Sequence, residues 1–154
     1  PMCGRGFFFL GKGGWAEMTR RLTSLAVMAM CLLALAGCRG RALPAGMEEQ
    51  ALLEAGREVL ELVTAGDFQA VRAALRPDVA ETVTEEELRA LAERQLEGAG
   101  DFRRVESSMT TGQSSDGEDY GVAVLYCRFA KDRVLFRLAF DPDLALIGLE
   151  IRKQ

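Results

Sequence analysis

The sequence predicts an α+β domain in which three N-terminal helices pack on one side of a four-stranded antiparallel sheet, preceded by a signal peptide. Three observations predict it. Apolar residues recur with a helical period from Glu48 to Gly100. After Asp101 the period changes to two, and the strand-like runs are joined by short turns. Alternation then gathers the apolar strand residues on one uncharged face, which needs a cover, and the helices are the available cover.

The first helix carries its stripe on Leu52, Gly56, Val59, Leu60 and Val63, with Glu54, Arg57, Glu58 and Glu61 on the outer face. Gly66 stops it and Asp67 caps the second helix. That helix buries Phe68, Val71 and Leu75, and Pro77 ends it. Thr84-x-x-Glu87 is a capping box for the third helix, where Leu88, Leu91, Ala92 and Gln95 or Leu96 face inward, and Gly98 and Gly100 close it. The run Glu85-Glu86-Glu87 is read as the negative first turn of this helix rather than as a metal site.

In the first strand Val105, Ser107, Met109 and Thr111 alternate with Glu106, Ser108 and Thr110. Ser114 to Gly117 is a loop, Asp119 to Ala130 a long strand, Lys131-Asp132 a tight turn, and Arg133 to Phe140 the return. Asp141-Pro142-Asp143 turns the chain into the last strand, Leu144 to Lys153. A two-residue loop at Lys131-Asp132 sets Phe129 against Val134, Cys127 against Phe136 and Leu125 against Leu138. A four-residue loop over Asp141 to Leu144 sets Leu138 against Ile147, Phe136 against Leu149 and Val134 against Ile151. One face then holds these nine residues and no charge. Cys127 is its one residue with reactive chemistry, and it reads as a small buried hydrophobe.

The opposite face carries the candidate binding residues Tyr126, Arg128, Arg137, Glu150 and Arg152. In this register Tyr126, Arg137 and Gly148 lie side by side, with Glu150 within diagonal reach for ion pairing. A solvated sheet face with ordinary surface pairs is one reading. Val122, Val124, Leu135, Ala139 and Leu146 on the same face favour another, a docking face for a partner protein or a second copy.

The N-terminal region has a different character. Residues 1–37 carry a net charge of +3 and the rest a net −7. Met18-Thr19-Arg20-Arg21 is a positive n-region, and Leu22 to Ala36 an uncharged run of 15 residues, short for a membrane-spanning helix. The run ends in Leu35-Ala36-Gly37-Cys38, which resembles the lipobox of bacterial lipoproteins. The resemblance implies a signal peptide over 18–37, a lipid anchor on Cys38, and an extracytoplasmic protein on the cell membrane, or on the outer membrane of a two-membrane organism. Residues 38–46 are expected to be a lipidated tether, irregular at Gly40, Pro44 and Gly46, and 47–154 the domain. Residues 1–17 read as translation upstream of a start at Met18.

The segments Val63-Thr64-Ala65-Gly66-Asp67-Phe68, the helix from Leu88 running into Gly100-Asp101-Phe102, and Ile147-Gly148-Leu149-Glu150-Ile151 carry a second resemblance. In order and spacing the domain resembles the nuclear-transport-factor-2-like, cystatin-like α+β cone. Within it lies a bacterial family of unknown function, found in lipoproteins or ahead of α/β-hydrolase domains. This implies a curved, cone-like sheet. Some relatives are isomerases or dehydratases with an Asp, His or Tyr base inside the cone; the inner strand face derived above has none of the three.

Composition narrows the function further. The chain has no histidine, which excludes Ser-His and Cys-His nucleophile pairs and histidine-liganded metals. Its pI of about 5.0 argues against nucleic acid as a partner. The reading is a lipid-anchored protein with a small non-catalytic module that binds a partner protein or a small apolar ligand at the cell envelope. No catalytic residue, cofactor or metal is expected. The alternatives are a pocket enzyme of the isomerase or dehydratase kind, and a purely structural, self-associating module.

Overall fold

A computed structural model describes residues 41–154. The expected signal peptide, Cys38 and residues 1–17 lie outside the described residues. The described chain is an α+β fold of four helices and a four-stranded open antiparallel sheet. The helices are α1 (Glu49–Ala65), α2 (Phe68–Ala74), α3 (Pro77–Ala80) and α4 (Glu85–Leu96). The strands β1 (Phe102–Ser115), β2 (Glu118–Phe129), β3 (Arg133–Phe140) and β4 (Leu146–Lys153) lie side by side in chain order, so β1 and β4 are the edges.

The helices follow local chemistry. The buried residues of α1 are Leu52, Gly56, Val59, Leu60 and Val63, the stripe read from the period. Gly66 takes the left-handed conformation at the end of α1, and Asp67 caps α2 by accepting from the Ala70 amide at 3.0 Å. Thr84 and Glu87 close a reciprocal capping box on α4, where Leu88 and Ala92 are buried while Leu91 and Gln95 are only partly so. One helix was not expected. Pro77 does not terminate α2, which already ends at Ala74; it sits in the first turn of the short α3. A proline fits there because its missing N–H has no helical acceptor to lose.

The sheet corrects the expected register. Cys127 pairs with Val134, Leu125 with Phe136 and Ala123 with Leu138. Likewise Phe136 pairs with Ile151 and Leu138 with Leu149. Both pairings differ from the expected ones by two residues: the β2–β3 ladder ends at Arg128 and Arg133 and leaves a longer loop than Lys131-Asp132 alone, while the β3–β4 ladder ends at Phe140 and Leu146, one residue later than the expected loop, and adds a bulge at Ile147. A shift of two preserves the faces, since side chains alternate with period two. The main core therefore contains Leu125, Cys127, Phe129, Val134, Phe136, Leu138 and Ile151 as read from sequence.

Three irregularities move residues across the sheet, the first at Arg103, between paired Phe102 and Arg104. A shift between Val105 and Ser107 makes Glu106 a bulge, so Val105 packs on the inner side while Met109 sits opposite Val124 on the outer. A shift at β4 leaves Ile147 between paired Gly148 and Leu146. Leu146, expected outside, is fully buried in the main core, and Ile147, expected inside, is the bulged residue. The aromatic centre of the core is Phe129, stacked on Phe136 at 6.4 Å and met edge-on by Phe102 at 5.6 Å.

Residues 41–46, the C-terminal part of the expected tether, lie against this sheet. The Gly112 amide on the edge strand donates to the Arg41 carbonyl at 2.7 Å. Gly112 pairs with Gly121 across β1 and β2, and a Cβ on either would collide, with the Ala42 backbone at Gly112 and with Met47 and Leu52 at Gly121. This glycine pair is the notch through which the incoming chain crosses, and Leu43 and Met47 pack on the main core there.

Candidate functional site

The helices cover one face of the sheet, and the candidate binding residues occupy the other. Alternation along β2 puts Val122, Val124, Tyr126 and Arg128 outward. Pairing sets Arg137 beside Val124 and Glu150, and Leu135 beside Tyr126 and Arg152. Ala139 lies between Val122 and Gly148. The structure thus brings Arg137, Glu150 and Arg152 together, with Tyr126 in the next row. Arg128 stands one row further on, opposite Arg133. Tyr126 and Arg137 are not side by side, as the expected register had them.

The centre of this face is apolar. Val122, Val124 and Leu135 form a buried cluster of their own, with Tyr120, Tyr126 and Ala139 packed against it. Val122 is only 2% exposed although none of the described helices covers it, and its described neighbours are side chains of the sheet itself. Charge rims the cluster. Arg137 Nη1 lies 3.3 Å from Glu150 Oε2, and Arg152 Nη2 lies 3.6 Å from Glu150 Oε1. The Tyr120 hydroxyl donates to Gln113 Oε1 at 3.0 Å. Between these groups lies a depression of about 300 Å³, lined by Gln113, Tyr120, Val122, Arg137, Ala139 and Glu150. An apolar floor with an Arg–Glu rim and tyrosines offers apolar contact at its centre and directed ion pairing and hydrogen bonding at its edge.

Sequence reading missed Tyr120, Gln113 and Met109 at this site. Tyr120 was legible, since it continues the same alternation two residues before Val122. Met109, the one large apolar side chain strongly exposed among the described residues (46%), was hidden by the bulge at Glu106.

On the inner side, Cys127 is 1% exposed and burial pushes its thiol up to about 12. A protonated, enclosed thiol is a packing group, not a nucleophile. The opening between α1 and β1 is a depression floored by Val63, Leu96, Phe102 and Phe129, with Glu61 and Asp101 at its rim.

A charged cluster that no sequence pattern announced sits at the other end of the sheet. Arg76 holds Asp78 with two bonds, Nε to Oδ1 at 2.8 Å and Nη2 to Oδ2 at 2.9 Å. Its Nη1 reaches Glu118 at 3.2 Å and Asp141 at 4.0 Å. The guanidinium holds the Asp78 carboxyl below its usual range, and its own affinity for the proton is raised by the same bonds. Asp141 is 8% exposed, and its Oδ1 accepts from the Asp143 and Ala145 amides at 3.0 and 2.9 Å. The Arg76 amide donates to the Leu146 carbonyl at 2.8 Å. Arg76 therefore latches the helical layer to the start of β2 through Glu118 and to the β3–β4 turn through Asp141, while Asp78, two residues away on α3, holds the guanidinium in position.

Residues 56–149 match a family described as "Protein of unknown function (DUF3887)". No curated protein matches the chain. Among solved structures, the NMR structure of a protein from Ruminococcus gnavus ATCC 29149 is similar, with a TM-score of 0.63 and 22% identity over 72% of this chain and 96% of that one. At that identity the likeness concerns the fold.

Proposed function

The chain belongs to the DUF3887 family, and from that premise we propose that it is a lipid-anchored, extracytoplasmic protein whose outer sheet face docks a partner protein at the cell envelope. The observation that carries the docking is the apolar cluster of Val122, Val124 and Leu135 on the face that none of the described helices covers. An isolated sheet face in water has no need of it, and the Arg137–Glu150–Arg152 rim supplies the orientation that a flat apolar patch lacks. The anchor rests on Leu35-Ala36-Gly37-Cys38 behind its charged and apolar leader. The curved, cone-like architecture of the nuclear-transport-factor-2-like proteins is part of the same proposal; it rests on the order of helices before a four-stranded meander. A binding role is favoured over a pocket enzyme by what fills the interior: Leu52, Leu125, Phe136 and Leu138 are fully buried between the helices and the sheet.

A photo-crosslinker placed at Tyr126, and in a second variant at exposed Glu93 on α4, tests the docking in intact envelopes. The expected result is one discrete adduct with a different protein from Tyr126 and none from Glu93. No adduct at Tyr126, or an adduct only with a second copy of the chain, contradicts it. For the anchor, Cys38→Ala should move the protein from the membrane to the soluble fraction.

A further inference from the structure

The docking of residues 41–47 on the sheet fixes where the chain leaves the domain. Arg41 is bonded to Gly112 on the free edge of β1, and Leu43 and Met47 are packed on the core beyond it. From Cys38 to Arg41 is three residue steps, at most roughly 11 Å of extended chain. A lipid on Cys38 therefore has almost no slack before it meets the β1 edge. We infer that this edge rests on the lipid surface, with the 41–47 strap acting as a clamp rather than as a swinging tether. The inference rests on the anchor proposed above.

The charge of that edge fits the occupant. The chain after residue 37 carries a net −7, yet β1 itself has Arg103 and Arg104 against a single carboxylate, Glu106. Glu106 is already neutralised by Arg104 and Arg133, each at 3.3 Å. Arg41, whose backbone carbonyl accepts from Gly112, brings a further positive charge to the strap. Anionic headgroups attract such a stripe. The strap holds β1 at Gly112, close to a hairpin tip that carries Asp116, Glu118 and Asp119 and that such a surface repels, so the edge should tilt its far, basic end at Arg103 and Arg104 toward the headgroups. The strap also covers the bare amide of an edge strand, which would otherwise be open to pairing with another chain. The clamp leaves the outer face standing beside the membrane, where a partner can reach it.

The test uses the full lipidated chain in vesicles of phosphatidylethanolamine and phosphatidylglycerol that carry a headgroup quencher. A dye is attached at Ser107→Cys on β1 in one sample and at Arg152→Cys on β4 in another; both sites are exposed, and buried Cys127 does not compete for the dye. The two edges are about 14 Å apart, so the Ser107 dye should be quenched at least about twofold more strongly. Gly112→Val drives the strap off the notch and lengthens the free chain to the start of α1, up to roughly 40 Å. That variant should stay on the vesicles and lose the difference between the two dyes. Equal quenching of the two sites in the otherwise unaltered chain, or stronger quenching at Arg152, overturns the clamp and leaves the anchor standing. Failure of the unaltered chain to stay on the vesicles overturns the anchor, and the clamp with it.

Discussion

Alternate residues of the same strands build two faces of one sheet, and the faces are finished differently. The inner face is closed by α1, α2 and α4 and holds Leu125, Phe136 and Leu138 with no exposure at all. The outer face buries Val122, Val124 and Leu135 nearly as well, and among the described residues their cover is Tyr120, Tyr126 and Ala139 of the sheet itself. Burial alone therefore does not separate stability from binding. What separates them is the cover: a helical layer that must leave for the chain to unfold, against a rim of movable polar side chains that a partner can join.

Neighbouring residues of β3 sharpen that contrast. Phe136→Ala removes a ring stacked on Phe129 and should cost about 3–5 kcal/mol, read from denaturant unfolding. Leu135→Ala, one residue earlier and on the other face, should cost about 2 kcal/mol, the low end for such a truncation. Equal losses would mean that the outer cluster is a second core. The helical cover can be loosened at its start: Thr84→Ala breaks the capping box of α4 and should cost about 1 kcal/mol by thermal unfolding, with the outer-face adduct unchanged.

The Arg76 latch gives a smaller, pH-dependent effect. Asp78 has a folded-state pKa below its unfolded value, so the latch stabilises the fold above the ordinary carboxylate range, and that contribution is lost as pH falls through the lowered value. Arg76→Met should lower the unfolding midpoint at neutral pH, and the gap to the parent should narrow as the pH drops below about 4. A gap that stays constant across that range would deny the latch its electrostatic origin. Smallest of all is Arg137→Ala. Its pair with Glu150 is half-exposed, so stability should change by less than about 0.5 kcal/mol while the Tyr126 adduct weakens.

The faces were legible in the sequence and the rows across them were not, for one physical reason. Period-two alternation decides which way Leu125, Phe136 or Tyr126 points, and a slip of two residues leaves that unchanged. The pairing depends instead on loop length, and the bonds at the β2–β3 turn, such as the Phe129 amide to the Asp132 carbonyl at 2.9 Å, leave no composition signal. Bulges at Glu106 and Ile147 are equally silent, which is why Met109 was not read as part of the outer face and Leu146 and Ile147 were placed on the wrong sides. Arg76 and Glu118 are 42 residues apart, and nothing local to either announces the other. The helix caps, by contrast, are local chemistry and could be read directly at Gly66, Asp67 and Thr84.

The central claim, that the outer face works by docking rather than by holding the fold together, is tested most directly by Leu135→Ser. The unfolding midpoint of the purified protein and the adduct yield from a crosslinker at Tyr126 are measured on that one variant. The account predicts a protein that remains folded at the assay temperature and has lost the adduct. An adduct yield that falls only in step with the folded fraction, or does not fall at all, would contradict it.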